Sequence, residues 1–260
     1  MSELGLSGKT AVVTAGTGPV GRAVCEAFAK HGARVAVCDR DGDAALSYAG
    51  MLREQGADAE GFLVDFGMRA KLAGACEAIV KRFGTIDVLI NNENASLLPQ
   101  ERLPLHAFDM VRCEAIINQG VKSFFTFSKL CMRDMALRKS GSVVNITSVR
   151  GLIPVPGQTP VVAVSAAVIG MTKMWGVELR DEHIRVNAIA AGITAGELDL
   201  SAKTPEEKQR KFTHLAIRRP VGPEELAAAA LFLASDTAAY ITGAVLPVDG
   251  GLSAGYVRSF

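Results

Sequence analysis

Along the chain, short unbroken runs of β-branched and aliphatic residues alternate with longer segments whose apolar positions recur at helical spacing. The runs KTAVVTA (9–15), ARVAVCDR (33–40), AEGFLVDF (59–66), IDVLINN (86–92), GSVVNITS (141–148), IRVNAIA (184–190) and AVLPVDG (244–250) read as strands. Helices are predicted over 19–32, 43–56, 68–83, 105–137, 160–181 and 223–235. Gly32 suits a C-terminal helix cap, and Asp41 or Asp43 can cap the next helix. Strands without polar alternation, separated by helices, are what a parallel sheet covered on both faces requires. No repeat, linker or low-complexity stretch interrupts the pattern. It predicts one α/β domain over residues 1–260, a doubly wound, seven-stranded parallel sheet with helices on both faces.

Composition narrows the classes. Apolar residues make up 49% of the chain and charged residues 21%, enough for a large core. Lys plus Arg number 28 against 27 Asp plus Glu, which argues against a nucleic-acid or anionic-membrane partner. Clusters such as Arg218–Arg219 are expected to be solvated surface. The N-terminus lacks the charged-then-apolar pattern of a secretory signal, and no run of about 20 apolar residues is evident. The cysteines (25, 38, 76, 113 and 131) are scattered without paired spacing. They read as free thiols in a reducing compartment, so a cytoplasmic location is expected.

The candidate chemistry begins with TAGTGPVGRA (14–23), where Gly16, Gly18 and Gly21 fall between a strand and a helix. Glycines let the backbone approach a pyrophosphate, and the helix N-terminus offers unpaired N–H groups and the positive end of its dipole. Asp39 closes the second strand, placed to accept hydrogen bonds from an adenosine ribose and to repel a 2′-phosphate. Strand, loop, helix and distal acid together point to a dinucleotide, NAD rather than NADP, with Arg40 opposing that preference.

From about Lys9 to Gly251 the chain resembles the short-chain dehydrogenase/reductase family. VNITSVRGL (144–152), IRVNAIAAG (184–192) and ITGAVLPVDGG (241–251) match its later signatures in order and spacing, and LVDF (63–66) matches the segment whose acid, here Asp65, meets adenine. The resemblance implies a Rossmann-like fold, with Gly16, Gly18, Gly21, Asp39, Asp65 and Asn91 as cofactor-binding residues. It also exposes departures. Ala15 and Pro19 replace two loop glycines, and Pro19 removes one N–H donor. Glu93 and Asn94 put bulk where the family keeps small residues, and Ala191-Gly192 replaces Pro-Gly. NAD binding is therefore expected to be weakened or lost.

The family's catalytic set is a serine, a tyrosine, a lysine four residues later and a helix asparagine. Ser148 and Asn118 match the serine and asparagine. Counted from Ser148, the tyrosine position holds Val161 and the lysine position Ser165. Valine has no proton to give and serine no positive charge. The tyrosines elsewhere, Tyr48, Tyr240 and Tyr256, offer no evident substitute. His31, His106, His183 and His214 show no ligand spacing, so no metal is expected. Arg150 and Gln158 could contact a substrate but are expected to be solvated loop residues.

The resemblance with its missing pair implies a non-catalytic subunit, without turnover alone, that assembles with and supports an intact NAD-dependent homologue in a hetero- or homotetramer through helices 105–137 and 160–181. In this respect the chain is similar to the degenerate subunits of two-subunit hydroxyacyl-CoA dehydrogenases of the benzylsuccinate (toluene) type, which would imply an acyl-CoA substrate. The alternative is an NAD(P)-dependent oxidoreductase, or a non-redox isomerase or cyclase, acting through Ser148, Asn118, Ser165 and Glu93. A ligand-sensing binding protein is a third reading.

Overall fold

The computed structural model describes residues 4–66, 69–92, 102–195, 204, 212, 213 and 215–255. Strands β1 (Thr10–Val13), β2 (Arg34–Asp39), β3 (Ala59–Leu63), β4 (Val88–Asn91), β5 (Gly141–Ser148), β6 (Ile184–Ala191) and β7 (Val245–Val248) form one sheet in the order β3-β2-β1-β4-β5-β6-β7. Every pairing is parallel. Helices α1 (Pro19–Lys30), α2 (Gly42–Glu54), α3 (Arg69–Phe83), α4 (Met110–Arg138), α5 (Thr159–Glu178) and α6 (Pro223–Ala234) connect the strands.

The two faces of the sheet bury separate cores. Val24, Phe28, Ala49, Leu52 and Leu226 bring α1, α2 and α6 onto one face. Leu72, Ile79, Phe127, Met135 and Trp175 bring α3, α4 and α5 onto the other. Because all strands run the same way, Val13, Asp39, Asn91, Ser148 and Ala191 end at one edge. Strand order reverses direction between β1 and β4, and that reversal opens the crevice in which such sheets hold ligands.

Element boundaries differ where local chemistry overrides periodicity. The fourth helix starts at Met110 rather than 105. Asp109 caps it by accepting from the N–H groups of Val111 and Arg112, leaving a separate 3₁₀ turn at Leu105–Ala107. Asp41, not Asp43, caps α2 through Ala44 N at 2.9 Å. Gly32 has a φ of 77°, the left-handed turn that ends α1. Contrary to the expectation that no run of about 20 apolar residues is present, helix α5 is long and apolar enough to cross a membrane by length and composition. Half of that window is buried inside the fold, which accounts for its apolar character.

Candidate functional site

The loop after β1 is tightly determined. Ala15 adopts a φ of 45°, the left-handed conformation that favours glycine and costs other residues roughly 1–2 kcal/mol. A Cβ on Gly21 would stand 2.1 Å from the carbonyl oxygen of Ala15, so this glycine is required by the close approach of loop and helix. The N–H of Gly16 is spent on Cys38 O at 2.9 Å and that of Gly18 on Ala15 O at 3.3 Å. With Pro19 at the first helical position, the first-turn N–H groups of Val20 and Gly21 are the donors a pyrophosphate would meet.

Asp39 stands beside this loop, and its carboxylate is already engaged. Oδ2 accepts from Thr17 Oγ1 at 2.6 Å and from Thr17 N at 3.1 Å, while Oδ1 accepts from Asp41 N at 3.2 Å. Arg22 Nε holds the loop from the helix side through Thr17 O at 2.7 Å. The cradle fits a dinucleotide: a glycine-tight turn, a helix N-terminus and an acid meet at one edge. It offers few N–H groups, and a ribose would share the Asp39 carboxylate with Thr17 and the Asp41 N–H. Asp65 lies half-buried two residues beyond β3.

Asn91 does different work. Its amide nitrogen donates to Ser128 Oγ and to Asn145 Oδ1, both at 2.8 Å, using both hydrogens. Asn145 Nδ2 in turn reaches Thr172 Oγ1 at 2.9 Å. The side-chain donors of Asn91 therefore tie β4 and β5 to α4 and α5. Asn92 is the neighbour facing the loop: its N–H donates to Thr14 Oγ1 at 2.9 Å.

At the end of β5, Ser148 is 2% exposed and accepts from Arg150 N and from Arg150 Nη1, each at 3.2 Å. The turn at Val149–Gly151 presses on α5, where a Cβ on Gly151 would meet the carbonyl carbon of Ser165 at 2.7 Å. Val161 and Ser165 lie inside that contact region, buried. Val161 and Val164 pack against Ile116 of α4 in a small apolar cluster. Ser165 Oγ donates to Val161 O at 2.8 Å.

Asn118 is not part of this group. It is exposed on α4, while Ile116 and Gly120 are buried. At about 100° per residue, position 118 lies on the opposite side of the helix from 116. The i, i+4 spacing of Ile116, Gly120 and Phe124 was the available signal for the inward face. Arg150 and Gln158 also differ from expectation: they are 8% and 5% exposed, not solvated.

Neither described tyrosine lies at the Val161 position. Tyr48 hydrogen-bonds Arg22 O and Glu26 across α1 and α2, and Tyr240 is fully exposed. Glu93, Asn94, Tyr256 and His214 lie outside the described residues. Among the described residues no group of three or more His, Cys, Asp or Glu could hold a metal. The cysteines are free, and burial pushes the thiols of Cys25, Cys38 and Cys131 well above the usual range. A cavity of about 390 Å³ opens at the opposite, N-terminal edge of the sheet, among Lys9, Asp87, Arg180, His183, Arg185 and Asp236. Its main charges are spent internally: Lys9 pairs with Asp236 at 2.9 Å, and Arg185 donates to the carbonyls of Leu233, Ile241, Ala234 and Ser235.

Known proteins share this frame. A family model described as enoyl-(acyl carrier protein) reductase matches residues 15–253. The 3-oxoacyl-(acyl-carrier-protein) reductase FabG of Thermotoga maritima is 34% identical over 248 residues, covering 95% of this chain and 98% of the relative. A gluconate 5-dehydrogenase from Burkholderia cenocepacia, solved with NADP and tartrate, superimposes with a TM-score of 0.89 at 28% identity, covering 97% of this chain and 98% of that one. A 7α-hydroxysteroid dehydrogenase solved with NADH and 7-oxo glycochenodeoxycholic acid gives 0.87 at 29% identity, with 96% of each chain covered.

Proposed function

The chain belongs to the short-chain dehydrogenase/reductase family, and from that premise we propose that it is an NAD(P)-linked oxidoreductase of this family with an altered catalytic centre. The observation that carries the reading is the cradle in which Asp39 meets the Gly21-tight loop at the sheet's switch point. Val20 and Gly21 N–H would hold the pyrophosphate, Asp39 the ribose hydroxyls, and Asp65 would stand by the adenine. The Asp39 carboxylate favours NAD over NADP, because a 2′-phosphate would meet a like charge. A nicotinamide cofactor held there would supply the chemistry of hydride transfer. Ser148 orients the substrate oxygen. Val161 supplies no proton, so water or the substrate itself must do so. Losing a positioned general acid costs typically about 10²–10⁴ in rate.

A second reading is the non-catalytic supporting subunit. The relatives reported above are named as reductases and dehydrogenases and lend it no support. What favours it is local: Val161 and Ser165 are buried and bonded to each other as ordinary helix positions. Exposed apolar residues on α4 and α5, Phe125, Met174 and Val177, offer a surface for another copy or an intact homologue in a tetramer. An acyl-CoA substrate belongs to this second reading. The free thiols suit a reducing compartment, so the proposed location is cytoplasmic.

The separating experiment follows NADH and NADPH consumption by the purified chain with a panel of 3-oxo compounds, alone and mixed with an intact family member. Turnover by the chain alone supports the first reading. Turnover gained only on mixing, with a stable complex by size-exclusion chromatography, replaces it with the second.

A further inference from the structure

Helix α3 turns Leu72, Cys76, Ile79 and Phe83 inward at helical spacing, and α4 brings Phe127, Cys131 and Met135 into the same buried cluster. Within it, Cys76 Sγ and Cys131 Sγ lie 3.8 Å apart. The two residues are 55 positions apart in the chain, so the packing of α3 on α4 is what brings them together. A disulfide holds its sulfurs about 2 Å apart. The thiols already touch, and closing the remaining gap is a local side-chain adjustment.

The two thiols differ in access. Cys131 is completely buried; burial first, and then its hydrogen bond with Cys76, pushes its thiol well above the usual range. It stays protonated and gives up its proton only when a bond to another sulfur forms. Cys76 is 8% exposed and follows Ala73-Gly74-Ala75, a stretch with almost no side chain to bury. A Cβ placed on Gly74 would meet nothing within 4 Å, so nothing packs against that position. Glycine inside a helix lowers its local stability, and the turn before Cys76 is where α3 opens most readily. Nearby, Phe66 packs edge-on against Phe127, ring centroids 5.9 Å apart, one helical turn before Cys131. The α3–α4 junction thus braces the segment after β3 that carries Asp65.

We propose that Cys76 and Cys131 form a reversible dithiol–disulfide pair, closed by a peroxide and opened by a dithiol reductant, that staples α3 to α4. Cys76 Sγ attacks one oxygen of hydrogen peroxide and the O–O bond breaks. The other oxygen leaves as water with the thiol proton, and Cys76 becomes a sulfenic acid. Cys131 Sγ then attacks the Cys76 sulfur. The S–S bond forms, the S–O bond breaks, and the sulfenic oxygen departs as a second water with the Cys131 proton. Two thiols lose two electrons, and one peroxide becomes two waters. In a reducing compartment the pair rests as free thiols. Neither thiol belongs to the dinucleotide cradle or to the Ser148 end of β5, so the staple stands apart from the oxidoreductase reading.

The test treats the purified, pre-reduced chain with hydrogen peroxide, alkylates the remaining thiols and maps the peptides. Wild type should lose two of its five thiols to one Cys76–Cys131 link within a single chain. Its melting temperature should rise by at least about 5 °C, and dithiothreitol should reverse both changes. Cys76→Ser and Cys131→Ser should each keep their remaining thiols at that dose and show no rise. Cys113→Ser, which removes the half-buried thiol of α4, should still form the link. No thiol loss in wild type, a link through other cysteines or between chains, or oxidation of Cys76 without a link overturns the pair. A Cys76–Cys131 link that leaves the melting temperature unchanged overturns the staple. Should Cys131→Ser fail to fold, the wild-type peptide map and Cys76→Ala decide the same question.

Discussion

The hydroxyl of Ser165 donates to the carbonyl oxygen of Val161 one turn earlier on α5, at 2.8 Å. The two positions where the family resemblance calls for a cation and a phenol thus satisfy each other. Such i−4 bonding by serine is close to neutral for a helix. Ser165→Ala is expected to change stability by less than about 1 kcal/mol and to leave any turnover intact. A large loss of turnover with the fold preserved would show that Ser165 has a chemical role.

Ala15 and Gly21 give a paired prediction. Ala15→Gly relieves the left-handed strain at φ 45° and should stabilise the chain by about 1 kcal/mol. Gly21→Ala drives a methyl group against Ala15 O and should cost about 1–3 kcal/mol together with dinucleotide binding. Thermal unfolding of the two variants checks both signs. An unaffected Gly21→Ala would contradict the loop geometry.

The buried amide network predicts where the fold is most sensitive. Asn145→Ala removes an acceptor from Asn91 and a donor to Thr172, leaving buried polar groups unmatched at about 1–3 kcal/mol. Urea unfolding should show a lower midpoint with an unchanged slope. No shift would mean that water replaces the lost amide.

Arg219 meets Glu225 at 2.7 and 2.8 Å, and Glu225 also accepts from Gly222 N. The Arg219 hydrogen bonds, then the Gly222 N–H, hold the Glu225 carboxyl at about 2, against 4.5 ordinarily. A carboxyl lowered on folding stabilises above its unfolded value and loses that contribution as pH falls through its folded one. Arg219→Gln should therefore raise the Glu225 titration seen by NMR and remove a small, salt-sensitive stabilisation that is complete above pH about 4.5 and fades as pH falls toward about 2. An unshifted titration would show that the exposed pair is screened out.

The fold was legible in the sequence because buried parallel strands leave continuous Val/Ile/Leu runs, as in KTAVVTA, and helices leave a different spacing. The positions of the loop, Asp39 and Val161 were legible for the same reason: each sits at a fixed offset from a strand end. Side-chain direction was not. Asn118 matches by residue type, yet α4 turns it outward, since only the packing of Ile116 and Phe124 decides which face points in. Asn91 falls on the expected strand end, but Ser128 and Asn145, distant in sequence, claim its amide. Arg150 reads as a loop arginine until Ser148 is seen to hold it.

The most direct measurement of the central claim is calorimetric titration of the purified chain with NADH and NADPH, beside the Asp39→Ala variant. Saturable binding, tighter for NADH and weakened about tenfold in the variant, a difference of about 1.4 kcal/mol, is the expected result. Absence of saturation by either dinucleotide at millimolar concentration in a folded chain would contradict it.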